Sequence, residues 1–421
     1  MSAAAASSVK TTYIPYMSDH AHALAAIMRS MGMRAEVLPP SDEESMTIGL
    51  DLCSGRECLP CFLTTGDLIR RSRLPGFDPA NSVFLMPGST GPCRFGQYSL
   101  LQREILGRFG LEAVTVASPM ITNSYDGLGE NPSELRKRFW EGAVAVDLLL
   151  KLLHEHRPYE REPGAAEAAY RSALEAVLIA LATPGNDGGL SGALDVAADR
   201  FAHVPVDRSV PRPLVAMIGE VFVRLNTCSN RHLVLQVEAA GGQVALAGFA
   251  EWQYNSHWNL IENRRILHQR GEQVKAVLTQ AWMRRREHVL HQRVAHLLTE
   301  PCEPSVARCA ARLRPYYDPA LEGEAIPTLE RAIESANRGA SGILNVLPFS
   351  CMPGIIASAM APRLRRDLGW IPWLDLSFDG QETTNIRTRL EAFMHQVFQF
   401  QRQRGTRPST GAAHAPPEAR A

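Results

Sequence analysis

The feature that most restricts the fold is an alternation of short apolar runs with helical stretches, joined by brief corners rich in glycine and proline. Strands are expected at Thr11–Met17, Ala35–Leu38, Thr47–Leu52, Ser82–Met86 and Val114–Ala117, and again at Leu214–Ile218, Gln243–Ala247, Gly342–Leu347 and Trp373–Phe378. Between and after them, Ala21–Met31, Thr64–Arg73, Gln97–Phe109, His232–Ala240, Ile355–Leu368 and Arg387–Arg404 carry apolar residues at helical spacing. Strands that alternate with helices form parallel sheets with crossover connections, so the fold class is α/β. A chain of 421 residues is too long for one ordinary core. Two doubly wound domains are therefore expected, over 11–205 and 206–404. The first carries a helical extension, Glu134–Glu155 and Ala165–Ala182, and the second a helical insert over about 261–335. A break at Thr183–Gly189 opens the boundary region, which runs on to Pro213. Residues 1–10 and the Pro/Ala/Arg-rich 405–421 read as disordered ends.

Lys and Arg together number 44 and so do Asp and Glu, giving no net charge. A sequence-independent nucleic-acid binder needs excess positive charge to displace counterions, so nucleic acid is not an expected partner. No apolar run is long enough to span a bilayer, and the start of the chain lacks the basic flank and apolar core of a signal peptide. No membrane association and a cytoplasmic location are expected, where disulfides are rare.

The chemistry resides in the cysteines. Cys53, Cys58 and Cys61 fall in one short run, and Cys93, Cys228 and Cys351 lie in corners after other expected strands. Cys302 and Cys309 fall in the helical insert. In open α/β sheets ligands bind beyond the C-terminal ends of the strands. A thiolate there also faces a helix N-terminus, whose dipole and N–H groups favour negative charge. That setting suits the anionic sulfur ligands of an iron–sulfur cluster. Other readings stand beside it. Any one cysteine can be a small buried hydrophobe. Cys58-Leu-Pro-Cys61 matches a thioredoxin-type C-x-x-C, and hence a thiol oxidoreductase. Cys53-x4-Cys58-x2-Cys61, with Cys93 downstream, matches the plant-type ferredoxin spacing, whereas zinc would want a second C-x2-C that is missing. No phosphate-binding G-x-x-x-x-G-K-[ST] or convincing G-x-G-x-x-G is present. His154, His156 and the histidines of Ile261–Leu298 read as solvated faces. Arg56, Arg94 and Arg224 lie in the corners, either as surface charge or as cations for a cluster, an acyl-CoA phosphate or a carboxylate.

Six motifs together resemble one known set: Gly55-Arg-Glu-Cys58-Leu-Pro60, Gly91-Pro-Cys93-Arg-Phe-Gly-Gln-Tyr98, Arg157-Pro-Tyr-Glu160, Gly219-Glu-Val-Phe-Val-Arg224, Leu347-Pro-Phe-Ser-Cys351-Met-Pro353 and Thr388-Arg-Leu-Glu-Ala-Phe393. The chain resembles, from about Tyr13 to Phe398, the domain appended to large activases of 2-hydroxyacyl-CoA dehydratases. That domain is itself similar to the 2-hydroxyglutaryl-CoA dehydratase and benzoyl-CoA reductase subunits. The resemblance implies two Rossmann-like domains with a [4Fe–4S] cluster in the cleft between them, held by Cys58, Cys93 and Cys351 with one iron position open. Cys53, Cys61 and Cys228 then become packing residues, a fourth ligand, or ligands of a larger double-cubane cluster. Arg56 and Arg94 are further candidates to face the cofactor. The ATP-hydrolysing domain of the large activases has no counterpart in this sequence. The implied role is an electron-accepting iron–sulfur protein served by a separate ATP-hydrolysing activase, acting on an acyl-CoA, in a homo- or hetero-oligomer. The alternative is a non-catalytic partner or scaffold of such a system.

Overall fold

The computed structural model describes residues 10–406 except 90, 92, 121–127, 184, 186–188, 300–301, 319–320, 322 and 382–384. The expected disordered ends, 1–10 and 405–421, fall almost wholly outside the described residues. The chain divides into two compact units: Met1–Gly142 with Val177–Gly189, and Ala143–Ala176 with Leu190–Ala421.

The first unit is built on a four-stranded parallel sheet in the order β2-β1-β3-β4, from β1 (Thr11–Ile14), β2 (Arg34–Val37), β3 (Ser82–Leu85) and β4 (Thr115–Ala117). Helix α1 (His20–Ser30) joins β1 to β2, α2 (Glu43–Leu52) and α3 (Leu59–Ser72) join β2 to β3, and α4 (Tyr98–Arg108) joins β3 to β4. The core gathers Tyr13, Leu38, Ile48, Leu68, Phe84, Ile105 and Val116, with Cys58 and Cys61 among them. Helices α5 (Pro132–His156) and α6 (Ala165–Ala182) follow, and each contributes residues to both units.

One expected strand is corrected. Thr47–Leu52 is not a strand but the body of α2. Its apolar Ile48, Leu50 and Leu52 alternate as a strand would, yet the start signal lies just upstream. Asp42 caps the helix by accepting from the Ser45 N–H at 3.0 Å, and Glu43 and Glu44 occupy the first turn, where the helix dipole favours acids. Gly49 belongs to helix packing, since a Cβ there would lie 2.0 Å from the Phe62 carbonyl oxygen. Gly66 does the same against Ser45, so α2 and α3 pack backbone to backbone.

The second unit repeats the plan. After α7 (Gly189–Ala202), strands β5 (Leu214–Gly219), β6 (Gln243–Leu246), β7 (Gly342–Pro348) and β8 (Trp373–Phe378) form a parallel sheet in the order β6-β5-β7-β8. Both sheets thus place their second-formed strand at one edge, then the first, third and fourth. Helices α8 (Val221–Leu225) and α9 (Leu233–Ala239) cross from β5 to β6. The helical insert between β6 and β7 holds α10 (Phe249–Ile266), α11 (Arg270–Val294), α12 (Val306–Leu313) and α13 (Ala325–Asn337). The stretch expected as one helix over Ile261–Leu298 is broken at His268, which takes φ +56°. Helix α14 (Met352–Asp367) leads to β8, and α15 (Ile386–Thr406) closes the unit. All seven residues of β7 are buried, as befits a strand covered on both faces. Among the described residues, no helix is long and apolar enough to cross a membrane.

Candidate functional site

Cys58, Cys93 and Cys351 occupy the same local position. Each is the N-cap of a helical segment: Cys58 of α3, Cys93 of the 3-10 turn Arg94–Gln97 that runs into α4, and Cys351 of α14. All three have extended backbones, with φ/ψ of −89°/158°, −102°/135° and −65°/117°, and none uses its side chain to cap its own helix. A sulfur here faces the positive end of the helix dipole. Cys93 follows β3 and Cys351 follows β7, the third strand of each sheet. The chain order reverses in the sheet beside that strand, between β1 and β3 and between β5 and β7. Such reversals open the crevice in which parallel sheets bind ligands. Cys58, contrary to the expectation from the sequence, does not follow a strand but closes the loop from α2 to α3.

Within the first unit, side chains draw the Cys58 and Cys93 corners together. The Cys58 thiol and the Tyr98 hydroxyl share a hydrogen bond of 2.8 Å. Arg94 donates to the Arg56 carbonyl at 2.9 Å, and Phe95 stacks edge-on against Tyr98 with centroids 5.4 Å apart. Glu57 accepts from the Ser54 hydroxyl at 2.8 Å and the Arg56 N–H at 3.1 Å, which fixes the loop before Cys58. Arg56 and Arg94 themselves are exposed. Tyr98 is a site residue that the sequence marks only as the end of a motif. The available signal is its position five residues after Cys93, where the helical spacing takes hold.

Cys53 ends α2 and Cys61 sits in the first turn of α3. Interaction with the Cys61 thiol lowers the pKa of Cys53, and interaction with Cys53 together with burial raises that of Cys61. Cys228 lies half-buried in the turn between α8 and α9. Among the described residues no disulfide joins any cysteines.

In the second unit, Cys351 is 7% exposed and its helix starts in an apolar surround of exposed Phe349, Met352 and Ile355. The preceding Ser350 takes φ +58°, unusual for a residue with a side chain. The motif after β5 is also built. Gly219 has φ +115°, and a Cβ there would stand 2.0 Å from the Val346 carbonyl oxygen, so only glycine fits. Glu220 caps α8 by accepting from the N–H groups of Phe222 and Val223 at 3.0 and 2.9 Å. Arg224 is not the surface charge that one reading of the sequence allows. It is 3% exposed and donates to the carbonyls of Gly219 and Gly248, both at 3.0 Å.

A buried ionic network lies deeper in this unit. Glu303 accepts from Lys151 at 2.8 Å and from Arg331 at 3.0 Å, and its own N–H donates to Glu287 at 2.7 Å. Burial acts to raise the Glu303 pKa, but the two cations outweigh it and hold the carboxyl down at about 2. Beside it, a cavity of about 20 Å³ is lined by Glu251, Tyr254, Asn255, Glu330 and Arg331. Burial pushes Glu251 up to about 7 and Glu330 up to about 9. His154 and His156, expected on solvated faces, are 6% and 5% exposed, and burial lowers both pKa values.

Among the described residues, no group of three or more His, Cys, Asp or Glu is set to hold a metal ion. What fits a cluster is the character of the three corners: a thiol at a helix start, with a hydroxyl from Tyr98 beside one of them. No protein-family model and no curated protein matches the chain.

Proposed function

We propose that the chain is an iron–sulfur redox protein in which Cys58, Cys93 and Cys351 hold a [4Fe–4S] cluster, on two Rossmann-like, doubly wound domains. The observation that carries the reading is the repeated N-cap position of the three cysteines, which nothing in helix physics favours. Ser, Thr, Asp and Asn are the residues preferred there, because their oxygens accept from the first turn. Cysteine at three such places suits thiolates that bind something else. When bound, the cluster would supply a low-potential electron and a Lewis-acidic iron. The chain's own residues would do the rest. The helix starts stabilise the negative sulfurs, Tyr98 bonds the Cys58 sulfur, and Arg94 fastens the Cys93 corner to the Cys58 loop. The electron would come from a separate ATP-hydrolysing activase, and the acceptor would be an acyl-CoA, as the motifs imply.

Anaerobic purification followed by iron and acid-labile sulfide analysis tests this directly. About four of each per chain are expected, with an EPR signal on reduction that is lost in Cys58→Ser, Cys93→Ser and Cys351→Ser. A folded, colourless protein without iron or sulfide would overturn the reading.

A further inference from the structure

Helix α14 starts behind Cys351 and ends shortly before β8, and at that far end it carries an open groove of about 380 Å³ lined by Pro362, Arg363, Arg365, Arg366 and Trp370. We propose that this groove binds a purine nucleotide with two or more phosphates, its base stacked on Trp370 and its phosphates held by the three arginines.

Arginines in the last turn of a helix are ordinary, because they complement the negative end of its dipole. Trp370 is what that account leaves out. Its residue is 66% exposed, and it follows two left-handed steps of backbone: Gly369 takes φ +75° and Trp370 itself φ +63°. A bulky residue in that region costs stability, and little burial offsets it here. The Trp370 N–H donates to the Arg365 carbonyl at 2.6 Å, which sets the residue beside the arginines.

The arginines are held in place with donors to spare. Arg363 lies over the Tyr316 ring, 4.9 Å from its centroid, and among the described residues it has no hydrogen-bond or ion-pair partner. Arg365 uses its Nε on the Ile371 carbonyl at 3.2 Å, and Arg366 uses its Nε on Asp367 at 3.1 Å. The terminal nitrogens of both still carry donors. Asp367 stands beside the patch, but no acidic residue is among those lining the groove. A guanidinium fork matches two phosphate oxygens, and an exposed indole offers a face to a base. A bare phosphate would use the arginines but not the indole. The volume is that of a small-molecule site and suits one nucleotide, not a strand of nucleic acid. Arg363 lies about 18 Å along α14 from Cys351, by the rise of a helix. The nucleotide is therefore a ligand at the opposite end of the helix from that thiol, and the proposal does not depend on the cluster reading.

Isothermal titration of the full chain with ADP tests this. One saturable site per chain is expected. Adenosine or pyrophosphate alone should bind about tenfold more weakly or worse, since each meets only half of the groove. Arg363→Ala, Arg366→Ala and Trp370→Leu should each weaken ADP by about tenfold with the thermal melt unchanged, and in Trp370→Leu the quenching of tryptophan fluorescence by ADP should disappear. Arg387→Ala, which removes an exposed arginine on α15, should leave ADP binding as it was. Coenzyme A carries the same adenosine diphosphate end and is titrated in parallel. Tighter binding of coenzyme A, lost in the same variants, would make it the source of the nucleotide, and equal or weaker binding would make the free nucleotide the ligand. No saturable ADP binding, pyrophosphate as tight as ADP, an affinity indifferent to the three variants, or polyglutamate bound more tightly than ADP would each overturn the proposal. Iron content, measured on the same preparation, decides the cluster reading separately.

Discussion

The Tyr98 hydroxyl lies 2.8 Å from the Cys58 sulfur, across forty positions of sequence. Both groups are buried, at 5% and 6% exposure, so the bond is made in a low-dielectric setting. Removing the hydroxyl in Tyr98→Phe should keep the fold and cost about 1 kcal/mol in chemical denaturation. In the loaded protein the same change should move the reduction potential to more negative values, because a sulfur loses a hydrogen bond that stabilises the reduced, more anionic state. An unchanged potential would show that Cys58 is not a ligand of the redox centre.

The close approach of α2 and α3 makes a sharp stability prediction. Gly49→Ala places a methyl against the Phe62 carbonyl and should lower stability by about 1–3 kcal/mol, as overpacking does. Gly271→Ala is the control. It sits in α11, where an added methyl would meet nothing within 4 Å, and should be neutral or stabilising by up to about 1 kcal/mol. Thermal melts of the pair check the contrast.

Lys151 and Arg331 together hold the Glu303 carboxylate away from water. Lys151→Met removes one cation and leaves the acid partly uncompensated, so a loss of about 3–5 kcal/mol is expected in urea unfolding. Lys275→Met, which breaks an exposed helix pair with Glu272, should change stability by less than about 1 kcal/mol.

The same network sets a pH dependence with two arms. Glu303 has a folded pKa near 2, below its unfolded value. Its contribution is complete above the unfolded pKa of about 4.3 and is lost as the pH falls toward 2. Glu330 behaves oppositely, with burial lifting it to about 9. It keeps its proton in the folded state while the unfolded chain releases it, so stability falls as pH rises from about 4.3 to 9. Glu330→Gln should therefore gain on the wild type by an amount on the order of a few kcal/mol between pH 5 and pH 9. Parallel denaturant titrations at the two pH values measure it. A constant difference would mean that Glu330 is already ionised in the fold.

Much of the architecture is legible in the sequence because period and corner chemistry are local. Thr11–Ile14, Ser82–Leu85, Gly342–Pro348 and Trp373–Phe378 all fall within or nearly within the runs that read as strands. The helices behind Cys93 and Cys351 are also marked by their spacing. Thr47–Leu52 misleads because an alternating apolar pattern over six residues fits both a strand and one face of a short helix, and the decisive Asp42 cap lies outside the run. The ionic network is invisible for a different reason. Lys151 and Glu303 are separated by 152 positions, and charged residues among apolar neighbours give no local sign that they will be buried together. His154 and His156 escape notice likewise, since α5 is enclosed more completely than its amphipathic pattern suggests.

The helical segments that open at Cys58, Cys93 and Cys351 begin without a side-chain latch of their own. A serine at each start would close the first turn and add on the order of 1 kcal/mol. The molecule forgoes that anchorage where its sulfurs stand. An occupant held by those cysteines would rigidify the openings, so a protease that samples local unfolding would read the loading of the protein at its cysteines.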